Sequence, residues 1–484
     1  MQNYEKRSVY VLRLITVLAF FCVLCFPMAM MLLDGPDQTP VENEADSELV
    51  ELNYESYFSG EFHQAFSTWF SHHYPMRSSI VTLFRNMLYR YESSGPAVAF
   101  MQALTGLSYE NAEQGNAIEA PSAPGADAIE QTDFYTHPDN IYAQVNQALL
   151  AENLTEPVGF KGSNGIVVGK SGYLFQDEYI NEYYGYTSNY TAISRQGIIR
   201  TVDELEYIQQ ELWKRYGITM VYVISPNKVS MYERCVPEYY RHAFLPAEHY
   251  VRPVDMLRDA LKDRDLLYLD STAHYQSVGL LNTFTKTGTH WNHLASFETT
   301  AEILRIYDDF GATPVRLLEI QRVLSQNEPV SDGEHTSNDA DIFHILYDDM
   351  GDVPDQIMDE AYYYPEVTVK NPDAKPIRIL LQGGSFATDI DYYLRTYGIG
   401  EVRYIHYNGI RHRNTWEGED PWSRGIEIWE KILTGLDLLI FEVNENYIRS
   451  EHCSGTDWEG ECGDHTIGSN ATYDSLYAFL KSTE

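Results

Sequence analysis

Ser385 stands in the turn Gly383-Gly384-Ser385-Phe386, directly after the mainly apolar run 377–381. A hydroxyl on a glycine-rich turn between a buried strand and a helix is placed for nucleophilic attack. Glycine permits the tight turn, and the first N–H groups of the helix face whatever the hydroxyl attacks. Such a serine needs a base, and histidine is the usual one. The candidate is His290, in Thr287-Gly288-Thr289-His290-Trp291-Asn292. The backbone N–H groups of Ser385 and Phe386 would then hold an oxyanion, with Gly384 and Trp291 beside them. Each residue also has a plainer reading. Ser385 can cap a helix that begins at Phe386, and His290 with Trp291 can be a packed core pair. Asn227 and Lys228 follow a strand, where open α/β sheets bind ligands; they can equally be a turn and a surface charge.

The elements that must position these residues alternate. Residues 166–175 read as two short strands around a glycine turn. Thr201 to Glu204 has the form of a capping box, opening a helix that Gly217 closes. Residues 218–224 are a continuous apolar strand of the kind buried on both faces of a parallel sheet. A helix near 253–263 leads to a strand over 266–270. His290 opens a further helix. The strand 377–381, the helix 386–397 and the strand 437–442 follow. This alternation predicts an α/β fold built on a doubly wound parallel sheet.

The chain has 484 residues and a formal net charge of −37, from 34 Lys+Arg against 71 Asp+Glu. A field of that sign argues against nucleic acid and anionic lipid surfaces as partners. Tyrosine is abundant, at 38 residues, which suits either packing or a carbohydrate-binding surface. Residues 14–33 carry no charge, and a run of about twenty apolar residues spans a bilayer. Lys6, Arg7 and Arg13 precede it, so the bulk of the chain is expected outside the cytoplasm, on a single-pass anchor at the cell membrane. A cleaved signal peptide is the competing reading. The expected organisation is an anchor over 1–33, an acidic stalk over 34–54, a helical lead-in over 55–91, a flexible insert over 92–160 and the α/β domain over 161–484. Cys453 and Cys462 bracket a short loop, and in an oxidising compartment they are expected to form a disulfide. No common zinc-ligand spacing is present, and no metal or organic cofactor is implied.

Taken in order, the motifs resemble a known family. They are the apolar N-terminal run, Trp69-Phe70 with Tyr74-Pro75-Met76-Arg77, and Val168-Gly169-Lys170-Ser171-Gly172-Tyr173-Leu174-Phe175. Ser225-Pro226-Asn227-Lys228, Thr289-His290-Trp291-Asn292, Gly383-Gly384-Ser385-Phe386 and Asp437 with Phe441-Glu442 and Asn444-Glu445 follow. This set resembles the SGNH-hydrolase-like proteins of the AlgX/AlgJ type, which take part in O-acetylation of bacterial exopolysaccharides such as alginate. The resemblance implies an SGNH-like fold, a polysaccharide substrate and a membrane-bound O-acyltransferase as partner. By motif correspondence it makes Ser385 the nucleophile and His290 its base.

Two positions depart from the family. Its triad aspartate, two residues before the histidine, falls on Gly288, and the aspartate before the serine falls on Gly384. Loss of the acid from a triad can lower turnover by about 10⁴. Asp270, Glu442 and Asp389 are candidate replacements. Asp270 comes first, because it ends a strand shortly before the histidine segment. The expected activity is O-acetyl transfer to, or removal from, an envelope or secreted polysaccharide. The alternative is a catalytically silent polysaccharide-binding or assembly protein on the same fold.

Overall fold

In the computed structural model, residues 132–157, 162, 165–185, 193, 195–241, 250–325, 341–343, 363–406, 428–448 and 471–483 are described. The apolar run 14–33, the stalk, the lead-in and the Cys453/Cys462 pair lie outside them. Among the described residues no helix is long and apolar enough to cross a membrane.

Three stretches dominated by aliphatic and β-branched residues set the architecture: β3 (Thr219–Ser225), β7 (Ile377–Gly383) and β9 (Leu438–Asn444). Every residue of β3 and β9 is buried, as a strand covered on both faces requires. With β4 (Tyr268–Asp270) and β8 (Gly400–His406) they form a parallel sheet in the order β4-β3-β9-β7-β8. The period-2 alternation of strand side chains divides the core in two. Val221, Val223, Ile379, Leu381, Leu438 and Ile440 meet helices α3 (His293–Phe310) and α4 (Ala387–Thr396). Met220, Tyr222, Ile224, Leu380, Leu439 and Phe441 meet α1 (Arg195–Tyr216), α2 (Pro253–Leu261) and α5 (Ala471–Ser482) on the other face. The sheet runs outward from β3 to β4 and from β7 to β8, with β9 between the two halves. The carboxyl ends of β3, β9 and β7 therefore border the reversal point where such sheets place their sites.

Two antiparallel pairs flank the sheet. β1 (Ile166–Val168) and β2 (Leu174–Gln176) form the hairpin read from the sequence. β5 (Leu317–Ser325) pairs with β6 (Tyr363–Lys370), with an irregularity between Ile320 and Arg322.

Three local expectations change. Helix α1 begins at Arg195, so Thr201 is an interior, buried residue and not a cap. Its neighbours Ile198, Val202 and Leu205 face the core, and burial of that stripe extends the helix upstream. The far end is as read: Gly217 adopts φ 69° and its N–H bonds the Trp213 carbonyl at 3.0 Å. Helix α3 begins at His293, not at His290, because Asn292 caps it by accepting from Leu294 and Ala295 N–H. Within the stretch expected as a flexible insert, Thr132–Thr136 and Ala143–Ala151 are helical, and Tyr142 and Val145 enter the core.

Candidate active site

The nucleophile turn is shaped by close packing beneath it. A Cβ on Gly383 would lie 2.6 Å from Glu442 Oε2 and 2.7 Å from the Ala387 Cβ, so only glycine lets β7 pass into α4 here. The Gly384 N–H donates to Glu442 Oε2 at 2.7 Å. The Gly384 carbonyl accepts from Ala387 N–H at 3.1 Å and from the Tyr404 hydroxyl. The Ser385 carbonyl accepts from Thr388 N–H at 3.1 Å. Helical bonding thus starts from these carbonyls and leaves the Ser385 and Phe386 N–H groups at the open end of α4. Ser385 is exposed and its side chain does not cap the helix. Its Oγ instead meets His290 Nε2 at 2.6 Å.

His290 sits in the loop before α3, and the loop is tied down on several sides. Asn292 N–H donates to the Thr283 carbonyl at 2.8 Å, and Phe284 and Trp291 form an isolated bridge. The Tyr232 hydroxyl accepts from Thr283 N–H at 2.9 Å. Lys228, which the sequence allowed as a surface charge, is 1 % exposed. Its Nζ donates to the Lys286 carbonyl at 3.0 Å and the Gly288 carbonyl at 2.7 Å, directly upstream of the histidine. The Phe386 ring packs edge-on against both His290 (5.1 Å between centroids) and Trp291 (5.2 Å).

A carboxylate absent from the sequence reading faces the other ring nitrogen. Asp341 lies in the connection between β5 and β6, and its Oδ2 is 3.8 Å from His290 Nδ1. Its Oδ1 accepts from Thr289 N–H at 2.8 Å. Nothing in the sequence marks this residue: it is one acid among 71, far from either motif.

The other named residues are placed as follows. Asp270 caps the helix Ser271–Val278 and is held by Arg258 at 2.7 and 3.2 Å, so its charge is committed to that guanidinium and not to His290. Asp389 lies in the first turn of α4. Gly384 cannot serve as an oxyanion donor, since its N–H is taken by Glu442. Asn227 is fully buried; it caps Lys228–Tyr232 and its amide donates to the Tyr179 carbonyl and Glu182, which leaves no donor for a substrate. Trp291 is 1 % exposed and acts through packing.

Two buried carboxyls at the end of β9 behave in opposite ways. Burial pushes Glu442 up to about 7, against the hydrogen bonds from Ser225 and Gly384 and the nearby His290. Burial also acts to raise Glu445, but Arg258 and Arg252 prevail and hold it at about 2. Arg252 bridges Glu445 and Glu182 at 2.9 and 3.0 Å, which locks the strand end to its surroundings. Among the described residues no cluster of three or more His, Cys, Asp or Glu could hold a metal ion.

The geometry can support nucleophilic acyl chemistry: an exposed hydroxyl, an imidazole nitrogen on it, and backbone donors at a helix start. The family model for the SGNH hydrolase-like domain of acetyltransferase AlgX matches residues 166–323. That stretch runs from β1 into β5 and bears out the resemblance to the AlgX/AlgJ-type family; it contains His290 but neither Asp341 nor Ser385. Comparison with curated protein sequences gives no match. Similar solved structures include the O-acetyltransferase domain of Pseudomonas putida AlgJ, at 14% identity and TM-score 0.38, covering 66% of this chain and 99% of that one. Pseudomonas aeruginosa AlgX is similar at 12% identity and TM-score 0.37, covering 68% of this chain and 69% of that one. Bacillus cereus PatB1 is similar at 12% identity and TM-score 0.33, covering 54% and 93%.

Proposed function

We propose that this chain, with its AlgX-type segment and a serine–histidine pair at the end of β7, transfers O-acetyl groups on a polysaccharide. The observation that carries the reading is the 2.6 Å contact between His290 Nε2 and the exposed Ser385 Oγ. Ser385 Oγ attacks the acetyl carbonyl carbon of a donor ester and its proton passes to His290 Nε2. The oxyanion of the tetrahedral intermediate lies against the Ser385 and Phe386 N–H groups. The bond from that carbon to the donor oxygen breaks, and the departing oxygen takes the proton from His290. A sugar hydroxyl then attacks acetyl-Ser385 while His290 removes its proton, giving an acetylated sugar and free Ser385. Water in place of the sugar releases acetate, the esterase outcome.

The acetyl group is favoured by the family match over residues 166–323. The polysaccharide acceptor, a membrane-bound O-acyltransferase as donor and an extracytoplasmic site tethered by residues 14–33 form the rest of this reading, and they rest on the motif resemblance and the charge pattern.

The test is hydrolysis of 4-nitrophenyl acetate, with peptide mass spectrometry to find an acetylated Ser385. Ser385→Ala and His290→Ala should each remove nearly all of the serine-dependent rate, and the double variant should lose little more, because a serine without its base is as poor a nucleophile as none. Wild-type activity in both single variants would refute the assignment. A wild type that binds glycan but neither turns over nor acetylates would make this a polysaccharide-binding or assembly protein.

A further inference from the structure

We propose that Asp341, carried on the connection between β5 and β6, is the positioning residue for His290 and supplies the acid that Gly288 does not. The proposal rests on Ser385 and His290 being the working pair, and deepens that reading.

The contacts of the histidine loop narrow the choice. Gly288 has no side chain to offer, and its backbone is occupied: the N–H donates to Thr285 Oγ1 at 2.9 Å and the carbonyl accepts from Lys228. The imidazole has two functional sides. Nε2 faces Ser385 Oγ at 2.6 Å, and Nδ1 faces Asp341 Oδ2 at 3.8 Å. A carboxylate on the side of the ring opposite the nucleophile fixes the tautomer with Nε2 free to accept, and stabilises the imidazolium once the proton arrives.

Asp341 is also built into the loop it would serve. Its Oδ1 accepts from the N–H of Thr289, the residue before the histidine, at 2.8 Å. Two residues on, the Phe343 N–H donates to the Thr287 carbonyl at 3.0 Å, and Ile342 and Phe343 are buried. The carboxylate and the imidazole are thus held on one backbone frame, with Oδ2 3.8 Å from Nδ1. Catalytic hydrogen bonds are often long in the resting enzyme and tighten on substrate. Two of the rival carboxylates have other work: Asp270 is held by Arg258, and the two oxygens of Glu442 accept from Ser225 Oγ and Gly384 N–H.

The experiment uses the full chain, 4-nitrophenyl acetate and a pH series. Asp341→Asn keeps an oxygen to accept from Thr289 N–H, so the loop is retained while the charge is lost; Asp341→Ala removes both. For Asp341→Asn, kcat should fall by about 10²–10⁴ with little change in KM, as for removal of a triad acid. The acid limb of the kcat/KM profile should move to lower pH, because the imidazolium loses its partner. A low-field Nδ1 proton resonance of His290 is expected in the wild type and should be absent from Asp341→Asn. Thermal unfolding checks that each variant is folded. Wild-type kcat and an unmoved acid limb in Asp341→Asn, with Ser385→Ala and His290→Ala inactive, would overturn the role of Asp341 and leave the Ser–His pair standing. The same loss and limb shift appearing in Glu442→Gln instead would assign the acid to Glu442. Full activity in Ser385→Ala would remove the nucleophile, and this role with it.

Discussion

Glu442 continues the row Leu438 and Ile440 on one face of β9, where an apolar residue would normally sit. Its place under the nucleophile turn has a consequence for stability. Folding raises this carboxyl from its ordinary 4.5 to about 7. Between those values the folded chain binds a proton that the unfolded chain does not. Stability therefore falls as pH rises through that window, by about 1.4 kcal/mol per pH unit and roughly 3 kcal/mol across it. Glu442→Gln keeps one acceptor for Gly384 N–H and one donor for Ser225, but does not titrate. Its unfolding midpoint in urea should change less than that of the wild type between pH 5 and 8. Parallel curves for the two proteins would show that Glu442 ionises as it does in the unfolded chain. Acid loss below the ordinary carboxylate range belongs to other groups, Glu445 first, whose depressed value stabilises the fold above pH 4.5 and is lost as pH falls toward about 2.

The short helix Lys228–Tyr232 exists at the end of β3 because Asn227 caps it, and the cap carries Lys228 under the histidine loop. Lys228→Met keeps the stem and removes the ammonium, so the Gly288 carbonyl loses a buried donor. An unmet buried acceptor costs about 1–3 kcal/mol, so the variant should be less stable by about that much, and kcat should fall as His290 loosens. Unchanged unfolding and unchanged turnover would mean that another donor takes over. Elements of this kind separate what was legible in the sequence from what was not. β3 and β9 stood out because burial on both faces writes a nearly continuous apolar run, and β7 because Arg378 alone interrupts one over 377–381. Gly383 stood out as the glycine of a strand-to-helix turn, where Glu442 and Ala387 leave no room for a side chain. The Ser385–His290 pairing was legible only through the motif order. The turn allowed at Asn227 is present as its helix cap, but the burial of Lys228 was not legible, because a charged side chain at a strand end reads as exposed and the carbonyls that hold it come from a loop distant in sequence. Asp341 left no trace, since its role depends on where the β5–β6 connection returns.

At the scale of the molecule, the proposed tether is the uncharged run 14–33 behind Lys6, Arg7 and Arg13, with the acidic domain outside. Removing residues 1–40 should release a soluble protein that keeps its fold and its acetyl-ester rate. Aggregation or unfolding of the truncated chain would instead make residues 14–33 part of a folded core. The place of β9 has a further consequence, in the order of assembly. β9 is the last strand of the sheet in chain order, yet it pairs with β3 on one side and β7 on the other, and those two do not pair with each other. A chain emerging from its N-terminus can form the halves β4-β3 and β7-β8 early, but each keeps an open inner edge until residues 438–444 arrive. Glu442 arrives on that same strand, so the support beneath Ser385 is completed only with closure of the sheet. The nucleophile turn is therefore assembled among the last parts of the domain, and a nascent chain would carry both motifs for some time before it could use them.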